Sequence, residues 1–438
     1  MIATLIIIGL TIFTMIISIL FFPRIRLGRN FYVDSYWVIT TIGLIVLLVF
    51  GLGDINLVLS SLVKDSAINP IKILVLFVCM TILSIFLDEL GFFRYLANVT
   101  LKKAGTNQFK LFLYLYIIVS VLTVFTSNDI IILSFTPFIC YFAKNAKINP
   151  IPYLATEFVA ANTWSMALVI GNPTNIYLAS AFNIDFISYA KVMLIPTILS
   201  GITAFIVLYL MFRKKLKISI TSDKELSFKF NKIANKPLLA IGLVHLIGCT
   251  LFLMVSSYVN IEMWLVSLTS CISLLVCTLI ASAFQGRKPR ELLRSIKRAP
   301  WQIIPFILSM FSIIIILSSK GITEKIALLL GDSQPILKYG FISFFASDLI
   351  NNIPMSVLFC DVLSYAPIGA MQGGVFATII GSNLGALFTP IGALAGIMWN
   401  SILLKQNVKF TYWDFIKTGI AVALPTLAVS LLSLMLFV

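Results

Sequence analysis

Apolar stretches long enough to cross a bilayer recur along almost the whole chain, and this feature restricts its fold more than any other. A helix needs about 20 consecutive apolar residues to span the hydrocarbon core. Only 11% of the residues are charged, whereas soluble domains carry about 25%. The sequence therefore predicts an all-α polytopic membrane protein.

Four short polar segments interrupt this apolar sequence, two in each half of the chain. They are residues 127–129 (Ser-Asn-Asp), 171–175 (Gly-Asn-Pro-Thr-Asn), 351–352 (Asn-Asn) and 389–392 (Thr-Pro-Ile-Gly). Hydrocarbon cannot hydrogen-bond an opened backbone, so such breaks occur where protein or a water-filled cavity covers them. Paired interruptions in two halves of a chain indicate the binding site of a transporter.

Equal spacings between motifs predict an internal duplication. The matching pairs are Asn162 to Gly171 with Asn383 to Gly392, and Asp185 to Pro196 with Asp414 to Pro425. We predict two inverted repeats, residues 1–212 and 237–438, joined by a cytoplasmic linker at 213–236. Each repeat has five transmembrane spans, one of them broken, plus a re-entrant hairpin. The odd number of spans places the second repeat upside down relative to the first.

The predicted elements follow the same order in both repeats. The first has spans near 2–22, 34–53, 70–90, 151–182 and 187–212, and a hairpin near 109–143 with its tip at 127–129. The second has spans near 237–257, 261–284, 300–319, 373–404 and 413–437, and a hairpin near 336–365 with its tip at 351–352. The hairpins enter from opposite sides, so their tips are expected to meet near the midplane.

The distribution of positive charge predicts the orientation. With the amino terminus outside, most of the 32 lysine and arginine residues fall in cytoplasmic segments, as the positive-inside rule requires. This placement also accounts for the net charge of +15 without a nucleic-acid partner. The first span lacks a basic start and a cleavage site, and Arg24, Arg26 and Arg29 follow it. We therefore expect a multi-pass plasma-membrane protein, in contact with lipid, with both termini outside.

Side chains at the tips and breaks are the candidate substrate ligands. They are Ser127, Asn128, Asp129, Gly171, Asn172, Thr174, Asn175, Asn351, Asn352, Thr389 and Gly392. Helix amino ends favour oxygen-rich or anionic ligands, amides and hydroxyls can bind a polyhydroxy solute, and opened carbonyls can hold sodium. Because the tips and breaks contain no Lys or Arg, a neutral solute fits without further charges. A purely structural role in capping helices stays open.

Three intramembrane carboxylates are candidates for proton coupling: Asp129, Asp348 and Glu157. Ionisable groups at membrane depth are functional candidates by default, and the first two lie at or near the hairpin tips. For Glu157, a structural hydrogen-bonding role stays equally open. The sequence has no metal-type or redox cysteine spacing, nucleotide loop or nucleophile constellation. It therefore predicts a carrier without metal or cofactor rather than an enzyme.

At these segments the chain resembles the arsenite/antimonite permeases (arsenical pump membrane proteins) of the ion transporter superfamily. The resembling pieces are Asn128-Asp129, the Gly-Asn-Pro-Thr-Asn break, Asn351-Asn352-Ile353-Pro354, residues 381–385 (Gly-Ser-Asn-Leu-Gly) and residues 389–395 (Thr-Pro-Ile-Gly-Ala-Leu-Ala). The resemblance implies an inverted-repeat carrier for proton-coupled export, with elevator-type movement as one option.

Other readings stay open at this point. Within transport, they are a sodium-coupled carrier of anions such as dicarboxylates or citrate, and a sodium/proton antiporter. Outside carriers, they are a channel and a non-transporting scaffold, although a scaffold needs no broken backbone at the midplane. The expected partners are a small inorganic substrate and a proton or sodium ion. A separate ATPase subunit and an oligomer are also left open.

Overall fold

The computed structural model describes residues 1–22, 24–26, 32–64, 69–217 and 235–438, and these are overwhelmingly helical. The predicted all-α class is thereby confirmed. A short hairpin, β1 (Arg24–Arg26) paired antiparallel with β2 (Tyr32–Asp34), was not predicted. Arg29 and most of the predicted linker, residues 218–234, lie outside the described residues.

The first half contributes ten α-helices to the described part of the chain. They are α1 (Ile2–Phe21), α2 (Ser35–Val49), α3 (Ile55–Val63), α4 (Pro70–Glu89), α5 (Phe92–Ala104), α6 (Gln108–Phe125), α7 (Asn128–Asn145), α8 (Ile151–Trp164), α9 (Pro173–Ala181) and α10 (Phe186–Leu216). A short 3₁₀ turn, Val169–Gly171, lies between α8 and α9.

The second half contributes ten α-helices as well. They are α11 (Lys236–Val255), α12 (Met263–Phe284), α13 (Arg290–Arg298), α14 (Ile303–Ser319), α15 (Ile322–Leu330), α16 (Pro335–Ile350), α17 (Asn352–Ser364), α18 (Ile368–Gly385), α19 (Leu394–Lys405) and α20 (Tyr412–Leu434). Another 3₁₀ turn, Ser256–Val259, follows α11.

Eight helical stretches in the described residues are long and apolar enough to cross a membrane. They belong to α1, α4, α6, α10, α11, α12, α14 and α20. The predicted broken spans are each divided into two helices, α8 with α9 and α18 with α19, and none of these four is among the eight. The predicted span near 34–53 is also missing because α2 has only 15 residues, whereas α6, predicted as an arm of the first hairpin, is included. The protein is thus a multi-pass membrane protein.

Helices of the two halves pack in corresponding pairs. Helix α6 contacts α8 as α16 contacts α18, and α7 contacts α19 as α17 contacts α9. Helix α2 contacts α14 as α12 contacts α4, and the long helices α10 and α20 contact each other. The equal helix order and these pairs support the predicted duplication. The inversion of one half relative to the other stays a prediction.

Four short helices, α3, α5, α13 and α15, were not predicted. Two of them are bounded by glycines with positive φ: Gly91 (83°) and Gly105 (59°) enclose α5, and Gly321 (67°) and Gly331 (61°) enclose α15. Glycine adopts this backbone without the strain of a side chain and commonly ends a helix. These glycines were the available sequence signal for the two helices.

Helix α13 is fastened to the end of α4 by ion pairs. Arg298 Nη2 lies 2.8 Å from the Asp88 carboxylate, and the same guanidinium also binds Glu89. Asp88 and Glu89 end helix α4, and Asp88 is buried. Their pairing with Arg298 gives them a structural role, since removing one member of a buried pair leaves the other uncompensated.

Small residues allow α16 and α18 to approach closely in the second half. A Cβ atom on Gly381 would lie 2.1 Å from Ser343 Oγ and 2.6 Å from the Gly340 carbonyl oxygen. A Cβ atom on Gly385, one turn later, would lie 2.7 Å from the Phe344 carbonyl oxygen. Small residues four apart are a common means of packing membrane helices against each other.

We expect Gly381→Ala to destabilise the protein by about 1–3 kcal/mol, because the added methyl must push backbone atoms of α16 away. Thermal unfolding in detergent measures this effect. Gly369→Ala is the matched control on the same helix, because a Cβ there has nothing within 4 Å. Equal melting temperatures for the two variants would contradict the close packing of α16 on α18.

Candidate substrate site

The first hairpin tip joins α6 to α7 and is fastened to α8. Ser127 occupies the position before α7, but its side chain makes no capping hydrogen bond, so the structural role in capping that was left open does not apply to this residue. Asn128 begins the helix instead, and its Nδ2 donates to Asn162 Oδ1 at 3.1 Å. Asn162 Nδ2 in turn donates to the Phe158 carbonyl at 2.8 Å. Asn128 therefore connects the tip to the broken span.

Asp129 and Glu157 lie in different surroundings. The half-buried Asp129 carboxylate has no hydrogen bond or ion pair with any residue in the described ranges. Glu157 is fully buried in α8, and both its oxygens lie within 3.0 Å of the Thr136 hydroxyl of α7. Glu157 precedes Asn162 by five residues, a helical rise of roughly 7.5 Å. Glu157 therefore lies closer to the start of α8 than Asn162 and not at the same level along the helix.

The first break lies earlier in the sequence than predicted. Helix α8 ends at Trp164 and α9 begins at Pro173, so the non-α-helical stretch is 165–172 rather than 171–175. Proline suits a first helical turn, and the Asn172 side chain caps it by accepting the Thr174 N–H at 3.2 Å. Gly171 is required because a Cβ there would lie 2.1 Å from the Ser165 carbonyl oxygen.

Asn383 of α18 connects the first break to the second half of the chain. Its Oδ1 accepts hydrogen bonds from Asn172 Nδ2 at 2.9 Å and Ser165 Oγ at 2.8 Å. Its Nδ2 donates to Asn175 Oδ1 at 2.7 Å and to the Ile379 carbonyl at 2.8 Å. Asn175 Nδ2 then donates to the Ser165 carbonyl at 2.8 Å. These buried groups form what we call the asparagine network: Asn162, Ser165, Asn172, Asn175 and Asn383.

The second tip is held by the second break, residues 386–393, which includes the predicted 389–392. Asn351 caps α17, accepting the Ile353 N–H at 3.4 Å, and donates to the Ile391 carbonyl at 2.9 Å. The backbone N–H of Asn352 donates to the Gly392 carbonyl at 2.9 Å. Asp348 Oδ1 accepts the backbone N–H of Thr389 at 3.0 Å and its hydroxyl at 2.8 Å.

Several buried polar atoms beside these groups have no hydrogen-bond partner in the described part of the chain. They are the hydroxyls of Ser127, Thr163, Thr174 and Thr378, and Asp348 Oδ2. The Asn352 side-chain amide likewise bonds to no described residue, although Asn352 is only 3% exposed. Buried polar groups are nearly always paired, so unpaired ones call for an explanation. These atoms are therefore the candidate solute ligands.

The structure thus gathers the predicted residues into two groups. The first contains Asn128, Asn172 and Asn175, joined through residues that the candidate set did not include: Asn162, Ser165 and Asn383. The second contains Asp348, Asn351, Asn352, Thr389 and Gly392. Asn162 and Asn383 each lie nine residues before the glycine of a break. This shared position could have marked both as site residues, but it was used only as evidence of duplication.

A comparison with known proteins assigns the family. A model of the citrate transporter family matches residues 34–374, which is most of the chain. The chain belongs to the citrate transporter family. Because the chain belongs to this family and has apolar helices long enough to cross a membrane, it is a multi-pass membrane protein of a transporter family.

Arsenical pump membrane proteins are among the relatives of this citrate-transporter-family protein. One from Escherichia coli is 28% identical over 416 residues, covering 90% of this chain and 92% of the relative. One from Escherichia coli strain K12 is 27% identical over 414 residues, with the same coverage. A putative arsenical pump membrane protein of Bacillus subtilis is 25% identical over 372 residues, covering 78% and 82%. These similarities support the resemblance to the arsenite permease branch.

The two asparagines of the second tip of this citrate-transporter-family protein allow a matched test. Asn352→Ala should leave the melting temperature near the wild-type value, because the lost amide bonds to no described residue, and should abolish transport. Asn351→Ala should lower the melting temperature by removing a helix cap, a loss of about 1 kcal/mol, and the bond to Ile391. Normal transport by Asn352→Ala would exclude this amide from solute binding.

Proposed function

We propose that this protein is a secondary transporter that exports arsenite and antimonite, as neutral trihydroxides, in exchange for protons. The observation that carries the proposal is the chemistry of the buried site. Amides, hydroxyls and backbone groups of the two breaks surround it, and residues 151–181 and 368–404 contain no lysine or arginine. A trihydroxide can both donate and accept hydrogen bonds, which matches amides and hydroxyls.

Proton exchange rests on Asp348 and Asp129, with Glu157 as a further candidate. Asp348 Oδ2 is unpaired in the described structure, and Asp129 also lacks a described partner. Carboxylates of this kind within a membrane protein are the usual proton carriers. Asp348 holds the second break through Thr389. Protonation of Asp348 would weaken that contact, and this links proton binding to the break.

The proposal places the protein in the plasma membrane with both termini outside and the repeats inverted. In this arrangement α13 and the 213–236 linker face the cytoplasm. Lipid, the transported solute and the coupling ion are the partners that transport itself requires. An ATPase on a separate chain and an oligomer are compatible with the arrangement, but nothing in the site depends on them.

The second candidate is a sodium-coupled carrier of citrate-like anions, or a sodium/proton antiporter. Because the matched family is that of citrate transporters, the family favours the sodium-coupled carrier of citrate-like anions over the antiporter. Such an anion would have to be neutralised by helix amino ends and co-bound cations, because the breaks supply no cationic side chain. The lack of basic residues therefore favours the neutral solute.

Expression in cells that lack arsenite efflux tests the proposal. Cells carrying the protein should tolerate more arsenite and antimonite and accumulate less of both, whereas cells carrying Asn352→Ala should behave like the empty-vector cells. Equal accumulation with and without the protein would reject arsenite export. Uptake of labelled citrate in the same cells measures the second candidate directly.

A further inference from the structure

A cavity of about 430 Å³ lies between the α9–α10 connection and the start of α18. Both halves of the chain line it, with Phe182, Asn183 and Asp185 from the first and Gln372, Val375 and Phe376 from the second. Asn183 and Gln372 are exposed, whereas Val375 and Phe376 are buried. The mouth therefore carries polar side chains beside the exposed Ile368, and apolar side chains form the floor.

Both walls of this cavity lead to the asparagine network. Phe182 lies seven residues after Asn175 of α9, and Phe376 lies seven residues before Asn383 of α18. Seven helical residues are about two turns, a rise of roughly 10 Å on the same side of a helix. Asn175 and Asn383 are themselves hydrogen-bonded at 2.7 Å. The cavity floor thus lies about two helical turns from the hydrogen bond between Asn175 and Asn383, which joins the two halves.

Two aromatic rings separate the cavity from the first break. The ring of Tyr189 packs on that of Phe376 with centroids 6.0 Å apart. The Tyr189 hydroxyl donates to the Met166 carbonyl of the break at 3.0 Å. Tyr189 is completely buried. The pair thus lies between the cavity, which Phe376 lines, and the first break, to which Tyr189 is hydrogen-bonded.

In the second half, a cluster of aromatic rings packs beside the second break. It is centred on Trp399 in the middle of α19, which meets helix α8, the start of α20 and the segment between α19 and α20. Its ring lies 5.2 Å from Phe158, 5.5 Å from Phe410 and 5.7 Å from Phe415, centroid to centroid. All three of these neighbours are hydrophobic rings that leave Trp399 only 2% exposed. This cluster therefore leaves no open space around Trp399, in contrast to the cavity beside Phe376.

The charge at the mouth bears on the solute. Asp185 is the single ionisable residue among those that line the cavity, all of which are described. Partial burial acts to raise its pKa, but hydrogen bonds from Ser188 and Ile187 outweigh this and hold the pKa below its usual value. The mouth is therefore negative at neutral pH. A cleft with one sign of charge repels ligands of that sign.

We propose that this cavity is the outer vestibule of the transport route, a second binding place for neutral hydroxyl-rich solutes, and that Tyr189 and Phe376 form its inner partition. The inference rests on the proposed transport function and specifies it, because the negative mouth disfavours citrate-like polyanions. Gln372, Asn183 and Ser188 supply the hydrogen-bonding groups at the entrance, and the aromatic pair retains solute until it opens.

Labelling with a membrane-impermeant maleimide tests the vestibule without reference to any solute. The Gln372→Cys variant should react from the membrane face opposite to that at which Lys288→Cys reacts. Phe410→Cys should react at least tenfold more slowly from either face. Five native cysteines are buried and Cys277 is half-buried, so the wild type sets the background. Reaction of Gln372→Cys from the face of Lys288→Cys, or fast reaction of Phe410→Cys, overturns the proposal.

Flux measured after labelling tests the solute. Modified Gln372→Cys should carry arsenite at least tenfold more slowly than unmodified protein. Modified Tyr365→Cys should be unaffected, because Tyr365 is 46% exposed nearby but does not line the cavity. Unchanged arsenite flux in modified Gln372→Cys overturns the vestibule. If the wild type carries citrate instead and the same label blocks it, the vestibule stands, while the proposed substrate and the charge argument fail.

Discussion

Replacement of Asn383 by alanine is expected to reduce transport by on the order of 100-fold and to lower the melting temperature. The side chain joins both halves, and its loss leaves the Asn172 amide nitrogen and the Asn175 amide oxygen buried and unpaired. The Ser165 hydroxyl keeps its hydrogen bond to the Asn162 carbonyl. Each unpaired group costs about 1–3 kcal/mol, and about 3 kcal/mol corresponds to two decades in a rate or affinity. Flux in vesicles and thermal unfolding of the purified protein measure the two effects.

Asn400→Ala is the control for this variant. Asn400 lies on α19 of the same half, and its Nδ2 donates to the Tyr412 hydroxyl at 3.2 Å in an exposed position. Its loss should change neither flux nor stability appreciably, since exposed partners regain hydrogen bonds with water. If Asn383→Ala matched Asn400→Ala in both measurements, the network would not join the halves as described.

Replacement of the coupling aspartate by asparagine should eliminate proton-driven flux while leaving solute binding intact. Asp348→Asn keeps an oxygen to accept both hydrogen bonds from Thr389, and it places the new amide where Oδ2 has no described partner. Asp129→Asn likewise removes charge without breaking a bond to a described residue. In each case only the capacity to bind a proton is lost, which is what coupling requires.

The measurement is flux at a series of imposed pH differences, together with solute binding in detergent. Asp361→Asn is a matched control, because Asp361 also has a buried oxygen without a described partner but lies nine residues beyond the second tip. If Asp129→Asn and Asp348→Asn both retain flux that depends on the pH difference, the proton is carried elsewhere, with Glu157 the next candidate, or sodium drives transport.

Much of the fold was predictable because apolar length and polar interruption are strong signals in a membrane chain. The first hairpin, for example, was expected to have its tip at 127–129, and α7 begins at Asn128. Short helices such as α3 and α13 escaped prediction because nine residues are too few to span a bilayer. Helix α13 is instead held against α4 by ion pairs, and these contacts between distant segments cannot be read from a sequence.

The site was predictable in its residue types but not in its connections. The Gly-Asn-Pro-Thr-Asn segment was expected to be open, yet Pro173 starts a helix that Asn172 caps, because both residues suit a helix start. In the sequence, Asn383 was notable only for its spacing to Gly392 and as part of the 381–385 segment. Its role follows from Asn172 and Asn175, more than 200 residues away in sequence, and only the packed structure brings them together.

Arsenite uptake into everted membrane vesicles tests the central claim most directly, because an exporter works inward in such vesicles. With an acid interior imposed and sodium absent, vesicles with the wild-type protein should accumulate arsenite. Collapse of the proton gradient should abolish the accumulation, and vesicles with Asn352→Ala should show none. Accumulation that required sodium, or uptake of citrate in place of arsenite under the same gradient, would contradict proton-coupled arsenite export.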